Sequence, residues 1–135
     1  MDKYDDAIAY YYKALPIWRL HKESNYLCAT LTNLGNAFYR LKKYSEAVNS
    51  LKEAVDIREY ELNSDHPDLG KTYFSYAPSL AATGQLDSAM LYLNKALDIF
   101  RIAYPPNHPL IADVQEWINT KIYEVAEYET GRHSP

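Results

Sequence analysis

One segment of this chain is written three times. "YDDAIAYYYKAL" from Tyr4, "YSEAVNSLKEAV" from Tyr44 and "LDSAMLYLNKAL" from Leu86 align residue for residue, at offsets of 40 and then 42. Within each copy the core-type residues recur at i, i+4, i+7 and i+8: Ala7, Tyr11, Ala14, Leu15; Ala47, Leu51, Ala54, Val55; Ala89, Leu93, Ala96, Leu97. That spacing is one face of a 3.6-residue helix. The alanines allow two helix backbones to approach closely. Between these helices, here called B, lies a second family, A. Its stripes are Leu27, Thr30, Leu34, Phe38, Leu41; then Leu69, Thr72, Tyr76, Leu80, Thr83; then Ile111, Val114, Ile118, Ile122, Val125. No strand pattern competes. The chain reads B-A-B-A-B-A, about six antiparallel helices in an all-α array. Periodic helix pairs with no other core imply a stacked solenoid.

The dipeptide His-Pro also occurs twice, at His66-Pro67 and His108-Pro109, each where a B helix has ended and an A helix begins. Proline suits the first helical turn, where its missing N–H would have no helical partner. Asp65 or His66, and Asn107 or His108, can cap the free N–H groups, and Ser24-Asn25 would serve the corner one repeat earlier. Asp68 suits the positive end of the helix dipole. The dipeptide is therefore punctuation rather than chemistry.

These residues resemble the tetratricopeptide repeat. In "LTNLGNAFYRLKKYSEAVNSLKEAV", Leu31, Leu34, Gly35, Phe38, Tyr44, Ala47, Leu51 and Ala54 occupy the signature places of that family. The stride of 42 and the Asp-His-Pro corner resemble the variant found in kinesin light chains. The resemblance covers residues 4 to about 128 and implies a right-handed superhelical solenoid. The expected organisation is a half-repeat over 1–23, repeats over 24–65 and 66–107, a half-repeat over 108–128, and a tail over 129–135. There are departures. Ala77 stands where Gly35 does, Pro78 and Pro16 fall inside helices and are expected to kink or distort them, and Gln115 and Asn119 replace apolar and small signature residues.

Little points to catalysis. Cys28 is the single cysteine, so no internal disulfide forms, and a lone thiol is more often a small core residue than a nucleophile. His21, His66, His108 and His133 lie in or near turns without an i, i+4 partner, so no shared metal site is expected. Four glycines leave no phosphate-cradling loop, and no nucleophile elbow or paired-carboxylate motif is present. Neither an enzyme nor a cofactor is expected. A net charge of −4 lacks the basic face of a nucleic-acid binder. No apolar run approaches the ~18 residues of a membrane span. The opening "MDKYDDAIAY" does not read as a signal peptide, so a cytoplasmic protein is expected if Met1 is the natural start.

The resemblance implies protein partners held on a concave face built mainly by the A helices. By position that groove holds Asn33, Asn36, Tyr39 and Arg40, then Lys71 and Phe74, with Asp113, Glu116, Trp117, Tyr123 and Glu124 from the last A helix. Asn33 resembles the peptide-backbone clamp of kinesin light chains, but Ser75 and Trp117 take its place in the next two repeats. A solvated helix face is the alternative for Asn33 and Asn36. For Trp117 the choice lies between an interface and packing on the C-terminal tail.

The terminal helices raise a further expectation. The first B helix (Ile8, Tyr11, Leu15, Trp18) and the last A helix (Trp117, Ile118, Ile122, Val125) are each apolar on a face and lack their repeat mates. Head-to-tail stacking of copies through these residues, into a filament or oligomer, is the preferred expectation. A groove-binding scaffold, or a piece of a longer repeat protein, is the alternative.

Overall fold

The computed structural model describes residues 3–22 and 24–131. Helices α1 (Lys3–His21), α2 (Ser24–Arg40), α3 (Tyr44–Glu61), α4 (Pro67–Ala82) and α5 (Leu86–Ala103) follow the expected B-A-B-A-B order. The last A helix comes in three parts: α6 (Pro109–Glu116), a π-helical turn (Trp117–Lys121) and α7 (Ile122–Thr130). Each helix packs on the next in sequence, and α7 also lies on α4. Residues 1, 2 and 23 of the expected first half-repeat, and 132–135 of the expected tail with His133, fall outside the described residues.

Two apolar cores follow from the stripes. Leu15, Leu31, Leu34, Phe38, Ala47 and Ala54 form the first. Leu51, Val55, Leu93, Phe100, Val114 and Ile122 belong to the second, larger one. Small residues set the spacing between helices. A Cβ on Gly70 would stand 2.8 Å from the Phe100 ring. Glycine is required there by a neighbouring side chain, not by its φ.

The corners are built as the His-Pro pairs imply. Nδ1 of His66 accepts from the Asp68 N–H, and Nδ1 of His108 accepts from the Leu110 N–H, each at 3.1 Å. Pro67 and Pro109 follow at the first helical positions. The histidines are the caps, rather than Asp65 or Asn107. Ser24 and Asn25 do something else: Ser24 Oγ donates to Glu61 at 2.7 Å, and Asn25 Oδ1 accepts from Arg58 at 2.7 Å. They tie the start of α2 to the end of α3.

Both internal prolines sit within helices that continue past them, α1 through Pro16 and α4 through Pro78. In α4 the Ser79 hydroxyl donates to the Tyr76 carbonyl at 2.8 Å.

The last A helix departs most from the repeat. The first A-to-B turn places Lys42 in the left-handed region, φ 61°, and the second places Gly84 there, φ 87°. One period later that position is Ala126, for which a left-handed backbone costs on the order of 1 kcal/mol or more. The helix instead runs on to Gly131, φ 73°. Glu129 and Thr130, expected in a tail, are therefore helical. The π turn adds residues to the helix before this overrun. Val114 and Ile122, the counterparts of Thr30 and Phe38, are both 0% exposed.

The overrun brings the end of α7 back to the earlier turns. Thr130 lies beside Gly84. Lys42 Nζ stands 5.5 Å above the Tyr128 ring. Burial, and then the Glu129 carboxylate, push the Tyr44 phenol well above its ordinary range.

Candidate protein-docking site

The four core-type positions of each B helix allow a direct comparison of buried and open faces. In α3 they are Ala47, Leu51, Ala54 and Val55, all 0–1% exposed. In α5 they are Ala89, Leu93, Ala96 and Leu97, at 0–7%. In α1 only Leu15 is buried, at 8%, while Ala7, Tyr11 and Ala14 are half-open. The difference has a geometric cause. Leu15 packs into the first core, whereas Ala7 and Tyr11 also border an open place beside α2.

That place is a groove of about 410 Å³ between α1 and α2. Lys3, Tyr4, Ala7 and Tyr11 line one wall; Asn33, Asn36, Ala37 and Arg40 line the other. The remaining outer surface of α1 mixes exposed apolar residues, Tyr10 at 68% and Ile17 at 52%, with the charged Asp5, Asp6, Lys13 and Arg19.

The residues expected to form one peptide groove are thus divided among three places. Asn33, Asn36 and Arg40 line the α1–α2 groove. Tyr39 is half-buried and packs against Tyr44, ring centroids 5.4 Å apart, near the end of α7. Burial pushes its phenol up, and Glu129 adds to the shift. Phe74 meets Trp117 edge-on at 6.4 Å, and Lys71 is exposed on α4.

The residues expected at an end-to-end interface divide as well. Leu15 and Ile122 are buried inside the chain, at 8% and 0%, so neither can meet a neighbour in this fold. Ile118 and Val125 are half-buried against the second core. Trp117 packs on Phe74 and lies beneath Lys121 Nζ at 5.9 Å. Trp18 stacks on Tyr26 at 4.9 Å. Ile8 and Tyr11 pack against the first core while staying half-open. The exposed side of the last A helix carries Asp113, Glu116, Glu124 and Glu127, together with Lys121 and the exposed Tyr123 and Tyr128. Lys3, Tyr4, Ala7 and Ala37 were absent from the expected site. The signal that locates them is the register itself, since Ala7 is the counterpart of Ala47.

No other site chemistry competes among the described residues. No group of three His, Cys, Asp or Glu side chains that could hold a metal occurs there, and no helix is long and apolar enough to cross a membrane. Cys28 is 1% exposed, and burial pushes its thiol up, so it is a core residue.

Antiparallel helix pairs stacked in register, with one edge left open, define an α-solenoid of the repeat class. Residues 1–59 match the family model of the tetratricopeptide repeat. The whole fold is similar to a crystal structure of kinesin light chain TPR-like repeats from Podosopora anserina, with TM-score 0.82 at 21% identity over 96% of this chain and 62% of that one. The chain is a tetratricopeptide-repeat protein. It is similar to the clustered mitochondria protein homologs of Homo sapiens, 28% identical over 76% of this chain, and of Aspergillus oryzae, 31% identical over 67%. It is also similar to heat shock protein STI1 of Saccharomyces cerevisiae, 30% identical over 75%. The chain spans 8%, 7% and 16% of the lengths of these three relatives. A fold of this class is a protein-interaction module, whose stacked helices present extended binding surfaces.

Proposed function

We propose that this chain works by protein–protein contact, and that the open edge between α1 and α2 is where a partner docks. One observation carries the reading: the alanine-bearing face that is closed in α3 and α5 is open in α1. Tyr4 and Tyr11 supply rigid amphipathic contact area, which costs little side-chain entropy to fix. Asn33, Asn36 and Arg40 supply donors along the opposite wall.

Selection of displayed peptides on the purified chain tests this. Enriched peptides are expected to lose binding when Ala7→Arg places a charge in the groove, and to weaken with Asn36→Ala. Binding indifferent to both substitutions would remove the reading.

A second reading is head-to-tail stacking of copies. It is favoured by the charges at the two ends, Lys3 and Arg40 at the open edge against the acidic outer side of α6 and α7. Light scattering should then show a size that grows with concentration, falls with salt, and returns to monomer with Ala7→Arg. A constant particle of 15.6 kDa ends this reading.

A further inference from the structure

We infer that a cleft at the α3–α4 corner is a second docking site, taking one long apolar side chain flanked by lysine or arginine on a segment of another protein. The cleft has a volume of about 280 Å³ and shares no residue with the α1–α2 groove. Its floor belongs to the second core: Leu69, Tyr73 and Ile99 are only 3–5% exposed. Ile102 borders it at 67% exposure. A cavity of about 150 Å³ already admits a benzene ring. One leucine, methionine or phenylalanine side chain therefore fits.

The cleft lies inside the array. Each repeat of a solenoid touches its immediate neighbours, and both neighbours of α4 are in place: α3 precedes it and α5 follows. The contrast with the corner one repeat earlier shows what is missing here. There Ser24 donates to Glu61 and Arg58 donates to Asn25, so two bridges tie the start of α2 to the end of α3. One stride of 42 later the counterparts are His66, Ala103, Phe100 and Pro67. His66 turns back to cap its own helix, and the other three offer no side-chain hydrogen bond. The start of α4 and the end of α5 are left without either bridge.

The charges around the cleft select its occupant. Lys95 is already engaged, its Nζ standing 5.7 Å from the Tyr73 ring centre and 5.3 Å from that of Tyr92. The Tyr73 hydroxyl is engaged too, donating to Glu59 at 2.6 Å. Asp65 on the loop and Asp98 on α5 are both exposed, and neither makes an ion pair or a side-chain hydrogen bond among the described residues. The uncommitted charge is thus negative and comes from two elements. An apolar side chain with a cation on each side complements both carboxylates and the floor between them.

This chain does not itself offer such a segment. Arg40-Leu41-Lys42-Lys43 is fixed in the turn after α2, where the Leu41 and Lys43 N–H groups donate to the Phe38 carbonyl. Leu20 is 78% exposed beside His21 and Lys22, but Arg19 on its other side is bridged to Glu53. A second copy would bring cations to one side only.

The test titrates the full chain into the fluorescein-labelled peptide GSKRLRKSG and follows anisotropy, with nitrogen-15 spectra to locate the contact. Saturable binding is expected, with shifts centred on Leu69, Tyr73, Ile99 and Ile102. Alanine for the central leucine of the peptide should weaken binding about tenfold, and Ile102→Arg should abolish it. Asp98→Lys should weaken it about fivefold, whereas Glu124→Lys, the same charge change on α7, should leave it nearly unchanged. Circular dichroism checks that all three protein variants remain folded.

Absence of saturable binding, or shifts confined to the α1–α2 groove, overturns the inference. Equal losses with Asp98→Lys and Glu124→Lys mean attraction to net charge alone and overturn it as well. Tighter binding of the acidic peptide GSEDLDESG hands the cleft to Lys95 and sinks the choice of a basic partner. Self-association abolished by Ile102→Arg assigns the cleft to a second copy. None of these outcomes bears on the α1–α2 groove, which Ala7→Arg tests separately.

Discussion

Gly35 of α2 faces Leu51 of α3 with no room for a side chain between them, since a Cβ there would stand 2.5 Å from Leu51 Cγ. Two effects oppose each other in Gly35→Ala. Helix propensity favours alanine by about 1 kcal/mol. Overpacking costs roughly 1–3 kcal/mol, and Leu51, at 0% exposure, has little freedom to move. The steric effect should win. Urea denaturation is expected to show a net loss of about 1 kcal/mol, whereas a gain would mean that α2 and α3 slide apart freely.

The His-Pro corners predict a matched pair of results. His66→Ala and His108→Ala each remove a side-chain acceptor from a helix start, costing about 1 kcal/mol. Asparagine at either position should restore most of the loss, because its side chain accepts the same N–H. Thermal melts of the four single variants check this. Equal losses for alanine and asparagine would show that the imidazole acts by packing, as its stacking of His108 on Tyr104 at 3.9 Å allows.

Alkaline pH should unfold this chain early. The Tyr73 phenol is pushed up by burial and by its 2.6 Å hydrogen bond to Glu59, and Tyr44 by burial and Glu129. A tyrosine harder to ionise when folded contributes stability that is complete below the unfolded value, about pH 10. That stability is lost as pH rises above it toward the raised folded value. Melting temperature should therefore fall above about pH 10, and Tyr73→Phe should flatten the fall. An unchanged slope in that variant would assign the alkaline sensitivity elsewhere.

The π turn makes a prediction of its own. Deleting Thr120, exposed within it, should convert the turn to regular α-helix and leave Ile122 seven positions after Val114, on the same face. The deletion should therefore cost little more than Thr120→Ala. A melting temperature far below that of Thr120→Ala would show that the wider turn itself is needed.

The first five helices, their pairing and the two His-Pro corners were legible in the residues. Apolar spacing of 3.6 reports local geometry, and proline beside a capping histidine reports a helix start; neither depends on distant contacts. The distribution of the candidate site was not. Asn33, Tyr39 and Phe74 were expected in one groove, yet Asn33 borders α1, Tyr39 packs on Tyr44, and Phe74 meets Trp117. The overrun of α7 depends on an αL position falling on Ala126 rather than on glycine, and Ile122 is buried, which the expected end-to-end interface had on a free face.

By itself the sequence determined the repeat unit, since a period of apolar residues states which side of each helix must leave water. Only the tertiary structure decided which of those sides are satisfied. Burial is a property of neighbours: Ala47 and Ala7 are the same residue at the same phase, and one is closed by α2 while the other stays open.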